Sequence, residues 1–200
     1  MNRLTYILGL AYVAVCGVAI VRHMARAPIE YPDTTVVPTA LGSSPITSAA
    51  GWFAAMKPYC NAVEVEVRHR YTPPPATSEG AGYSAACFAL AGKIERARQV
   101  IEGMPSSDRP AAAGVLFEVG HPVADAGDDR AAGPMMELVI AYWPENYMAL
   151  YHAGMSQSVL GQPEPAKRNL RRFLELYDAD DGFTGAARAA LRKLERGEQP

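Results

Sequence analysis

The distribution of apolar and polar positions divides the chain into three parts. Leu4 to Val21 is an uncharged apolar run of 18 residues. As a helix it reaches about 27 Å, close to a hydrocarbon core of roughly 30 Å, so it predicts a single transmembrane anchor over residues 1–26 that meets the bilayer through residues 4–21. Arg22, His23 and Arg26 follow at headgroup depth. A cleaved signal is disfavoured: two arginines separate the run from Ala25-Arg26-Ala27, and Pro28 follows. A lipoprotein signal at Cys16 is also disfavoured, because apolar residues continue past it. Residues 27–45 hold Pro28, Pro32, Pro38 and Pro45 with Gly42, Ser43 and Ser44, show no period, and predict a stiff extended linker.

Beyond residue 46 the apolar positions follow helical periods. Thr47 to Met56 predicts a helix with Trp52, Phe53 and Met56 on one side. Asn61-Ala-Val-Glu64 has the form of a capping arrangement before a second helix. Val63, Val67 and Tyr71 share a helical stripe, while Val63, Val65 and Val67 alternate as a strand would. A strand here has no evident partner, so a helix is preferred. Thr184 to Glu195 predicts an amphipathic helix with Ala187, Ala190, Leu191 and Leu194 inward and Arg188 and Arg192 outward.

Between these lies an internal repeat. Gly92, Gly127 and Gly161 are 35 and 34 residues apart. Five positions after each stands Ala97, Ala132 or Ala166, and seven before stands Ala85, Gly120 or Gly154. Bulky apolar residues recur at Ile101, Met136 and Leu170, then at Met104, Val139 and Phe173. Small residues permit close helix crossings and the glycines supply left-handed turns between paired helices. With Pro144 closing the second unit, the stretch Ser78 to Asp178 resembles the tetratricopeptide repeat family, best in YMALYHAGMSQSVLGQPEPAKRNLRRFLELYD.

The expected fold is all-α: the anchor, a divergent N-terminal hairpin over 46–77, three degenerate repeats over 78–180 and a capping helix and tail over 181–200. Extending the frame backward places Gly51 and Pro75 at signature positions of the divergent hairpin. The second repeat departs from the pattern. His121-Pro122 is expected to interrupt its first helix, Gly133-Pro134 falls within its second, and HPVADAGDD is expected to form an irregular corner, since an interior proline costs about 3 kcal/mol.

Charge and composition narrow the function. Lys and Arg number 19 against 21 Asp and Glu, so no strong field points to nucleic acid. Aromatics make up 8% and alanine is abundant, which suits close-packed helices. No nucleophile with its base, phosphate loop or haem-attachment motif occurs, so neither an enzyme nor a cofactor is expected. Charge near the anchor does not choose an orientation. A short cytoplasmic tail with the bulk exported is the common arrangement, and predicts an extracytoplasmic, periplasmic domain. There Cys60 and Cys87 can close a disulfide; two buried free thiols are the other reading.

By the resemblance, Phe117 and His121, then Met148, Tyr151 and Met155, face the inner strip of the array and bind a partner. The strip is apolar and aromatic, which favours a partner's apolar segment or helix. Lys167, Arg168, Arg171 and Arg172 form an exposed face that can meet lipid headgroups. The expectation is a scaffold or accessory subunit docking on a membrane protein complex. The alternative is a ligand- or divalent-cation-binding domain using the corner from His121 to Asp129, with Asp125, Asp128 and Asp129 as ligands and plain helix-capping carboxylates as the simpler account of them. His69 and His152, far apart and without a ligand pattern, are assigned ordinary surface or packing roles.

Overall fold

The computed structural model describes residues 48–198. The expected membrane run 4–21 and the linker 27–45 lie outside the described residues. Among the described residues no helix is long and apolar enough to cross a membrane.

The fold is all-α. In chain order, among the described residues, the helices are α1 (Ala49–Met56), α2 (Val65–Tyr71), α3 (Ser78–Leu90), α4 (Ile94–Glu102), α5 (Arg109–Asp125), α6 (Asp129–Tyr142), α7 (Tyr147–Val159), α8 (Pro163–Leu176) and α9 (Gly182–Glu195), with a short 3-10 turn at Lys57–Tyr59. The pairs α3–α4, α5–α6 and α7–α8 are antiparallel hairpins joined by tight turns. Gly92, Gly127 and Gly161 have φ of 73°, 76° and 71°, the left-handed region that a Cβ disfavours. Each turn makes the same two bonds: Gly92 N to Ala89 O with Lys93 N to Phe88 O, Gly127 N to Ala124 O with Asp128 N to Val123 O, and Gly161 N to Ser158 O with Gln162 N to Gln157 O. That is the Schellman pattern, which satisfies carbonyls a helix end would otherwise leave open.

The recurring small residues lie where helices cross. Ala85, Ala97, Ala132 and Ala166 are fully buried. A Cβ on Gly154 would stand 2.6 Å from Leu170 Cγ, so α7 and α8 approach as closely as they do only because no side chain intervenes. Gly51 is exposed on α1 and marks no such crossing.

Two apolar clusters result. The larger unites Trp52, Phe53, Val65, Phe88, Ile101, Leu116, Met136 and Val139 with Ala149 and Ala153. The smaller joins Leu150, Leu170 and Phe173 to Ala187, Leu191 and Leu194 of α9. Ile140 touches both. Asp181 caps α9 with a reciprocal box through Thr184, which is fully buried. Buried Gln157 on α7 donates to Glu137 on α6 at 2.6 Å and accepts from Asn169 on α8 at 2.8 Å.

Several expectations are corrected. α5 continues through His121-Pro122 to Asp125, and α6 continues through Gly133-Pro134. Each proline frees the carbonyl four residues earlier, at Glu118 and Arg130; both residues lie on the exposed side of their helices, where solvent rather than the core surrounds the break. The irregular corner shrinks to the turn at Ala126–Asp128. The stripe Val63, Val67 and Tyr71, which begins in the turn before α2, faces outward, at 83, 54 and 80% exposure, whereas Val65 is fully buried. The short segment is oriented instead by Trp52, which donates from Nε1 to Thr72 O at 2.9 Å, by His69 against Phe88, and by Cys60, disulfide-bonded to Cys87 of α3 across a Cα separation of 4.9 Å.

Candidate functional site

The helical spacing of α5 sets Phe117, His121 and Asp125 one turn apart on one face. On α7 the same spacing aligns Met148, Tyr151 and Met155, with His152 beside Tyr151. These faces meet. Phe117 stacks on His121 with centroids 4.9 Å apart, and His121 meets His152 edge-on, also at 4.9 Å. His152 lies against Tyr151 at 5.1 Å, and Tyr151 contacts Phe173 and Phe183, each at 5.2 Å. Phe173 stacks on Tyr177, which stacks on Tyr147 at 4.8 Å. An unbroken row of rings thus passes from α5 over α7 to the α8–α9 junction. Tyr147 and Phe183, at 41 and 39% exposure, present this row to solvent.

The five residues expected to bind a partner divide as follows. Phe117, His121 and Tyr151 belong to the row, half-buried. Met155 packs on the smaller apolar cluster, and Met148 is half-buried on the same helix. Burial raises the Tyr151 hydroxyl above its ordinary pKa, reinforced by Asp125 and Asp181, which place negative charge beside the row.

Asp125, Asp128 and Asp129 do not act together. Asp128 caps α6, accepting from Ala131 N at 3.2 Å, and Asp129 accepts from Ser156 Oγ at 2.8 Å. Asp125 turns instead toward two imidazoles: its Oδ1 is 3.7 Å from Nε2 of His121 and 3.7 Å from Nε2 of His152. The latter histidine is buried, which lowers its pKa, with His121 pushing the same way against Asp125 and Asp129. Sequence reasoning missed His152. The usable signal was its place next to Tyr151, which the 34-residue frame sets opposite Phe117.

His69 is a packing residue, as expected. Its Nδ1 bonds Val65 O at 2.9 Å and its Nε2 bonds Ser84 Oγ at 3.1 Å, between the rings of Trp52 and Phe88. The basic run on α8 is largely neutralised locally: Lys167 pairs with Glu164, Arg171 with Glu195 and Arg172 with Glu175. That weakens the case for a lipid-binding face. No family model, no curated protein and no solved structure matches the chain.

Proposed function

We propose that this chain is a membrane-anchored interaction scaffold or accessory subunit, whose helical hairpins form a tetratricopeptide-like array that docks on a membrane protein complex. The observation that carries the reading is the ring row from Phe117 to Tyr147. Rigid rings that reach solvent are efficient contact surfaces, since they offer area at small entropic cost. Asp181 stands at the end of the row, accepting from the Tyr177 hydroxyl at 2.6 Å, so the partner segment is apolar with a basic residue at that end. The recurrence of one turn chemistry every 34 or 35 residues supports the array. The apolar run 4–21 supports the anchor. The Cys60–Cys87 bond supports an oxidising, extracytoplasmic setting for the domain.

The test is purification of the tagged full-length chain from its native membranes in mild detergent, with mass spectrometry of co-purifying proteins. Stoichiometric membrane subunits are expected, and their loss in Phe117→Ala with Tyr151→Ala. Because Tyr151 also packs on the smaller cluster, the exposed pair Tyr147→Ser and Phe183→Ser serves as the second variant. A wild-type chain that emerges alone, under conditions where other assemblies survive, overturns the reading.

A further inference from the structure

The geometry points to a divalent transition-metal site formed by His121 and Asp125 of α5 with His152 of α7, a site for zinc or an ion of similar preference that pins the two helices together. The three ligand atoms lie within 4.8 Å of one another. The Nε2 atoms of His121 and His152 are both buried and neither has a hydrogen-bond partner. His152 is only 7% exposed, so its unpaired nitrogen is held away from bulk water and aimed at Asp125. At 3.7 Å the carboxylate oxygen is too far to accept a hydrogen bond from either ring. It is near the spacing that a shared ion imposes: ligand bonds of about 2.0–2.2 Å at tetrahedral angles set neighbouring donors about 3.4 Å apart. The two imidazole nitrogens, within 4.8 Å of each other, close toward the same spacing when the ion binds, a larger movement than either asks of the carboxylate.

The donor types select the ion. Two imidazoles and one carboxylate suit zinc and its neighbours, whereas calcium and magnesium prefer all-oxygen shells. Asp125 is 58% exposed at its side chain, so the ion has an entry path and a water completes the coordination. The placement has a structural consequence. α5 contributes Leu116 to the larger cluster, and α7 contributes Ala149 and Ala153 to it and Leu150 to the smaller, so an ion here adds a side-chain link at the end of the larger core where α7 passes into the smaller. It also fixes the middle of the ring row, because His121 and His152 are both ligands and links in that row.

The test uses the full-length chain in detergent, stripped with chelator, in a Cys16→Ser background so that no free thiol competes. Calorimetric titration with zinc chloride is expected to give one ion per chain. Cobalt substitution is expected to give a ligand-field spectrum without a thiolate charge-transfer band. His121→Ala and Asp125→Asn, verified as folded by circular dichroism, are expected to weaken binding at least tenfold, and Asp128→Asn to leave it unchanged. Absence of zinc uptake by the parent chain overturns the site, as does uptake that neither variant at His121 nor Asp125 weakens.

Discussion

His69 and His152 are both removed from most solvent and both lie against aromatic rings, yet their surroundings end differently. Around His69 every polar requirement is met: a backbone carbonyl on one nitrogen, a serine hydroxyl on the other, a disulfide nearby. Around His152 the rings are equally close, but Nε2 faces a second imidazole and a carboxylate, none within hydrogen-bond reach. A buried histidine with both nitrogens engaged orders its neighbours. One with an open nitrogen aimed at other donors is prepared for something that is not part of the chain. The first region is closed by its own bonds, and the seam between α5 and α7 is left to be closed by a ligand.

The largest expected effect comes from opening the closed region. Replacing Cys60 and Cys87 by serine releases a loop spanning 27 positions and is expected to cost about 3 kcal/mol, measured by urea denaturation. Zinc affinity at His121 and His152 should survive; its loss would mean that the two regions are one cooperative unit. A smaller effect is expected from Gly154→Ala, which forces a methyl toward Leu170 and should cost about 2 kcal/mol by overpacking. By pushing α7 off α8 it should also lower zinc affinity, in contrast to the disulfide variant, and calorimetry of the two side by side separates local from transmitted strain.

The smallest effect is a pH dependence. Burial lowers the pKa of His69, assisted by Arg96 and opposed by the bond to Val65 O and by Glu66. As pH falls below the ordinary imidazole value of about 6.5, the unfolded chain takes up this proton before the folded chain does, so stability declines as the pH drops and levels off below the folded value. Denaturation curves between pH 7.5 and 5 should show a shallower decline in His69→Gln than in the parent chain. An unchanged slope would show that His69 does not titrate differently in the two states.

Much of the helical framework was legible in the sequence, because it depends on local chemistry. The glycines at 92, 127 and 161 announce turns that only a residue without Cβ adopts easily, and the alanines beside them announce crossings. Asn61 and Glu64 do bond each other, at 2.9 Å, but as a turn before the helix: α2 starts only at Val65, with Glu64 at its cap and no side-chain cap bond. The prolines misled for a physical reason: Pro122 and Pro134 break a helix only when the freed carbonyl has nowhere to turn, and the exposure of Glu118 and Arg130 is a tertiary property. The outward stripe on α2 misled similarly, since periodicity marks a face without saying what covers it. Least legible was the histidine cluster. His121 and Asp125 have ordinary helical spacing, but His152 joins them only because α7 folds back beside α5.

The amide of Gln157 sets an alignment key for the last three helices before the cap. Its nitrogen must donate and its oxygen must accept, so it meets Glu137 and Asn169 in one orientation only. Sliding α7 by a turn along α6 would leave the buried Gln157 amide without either partner, a penalty that apolar side chains alone would not exact. With the bond from Ser156 to Asp129, that amide ties α7 to α6 in one register, which repeating small residues by themselves do not specify.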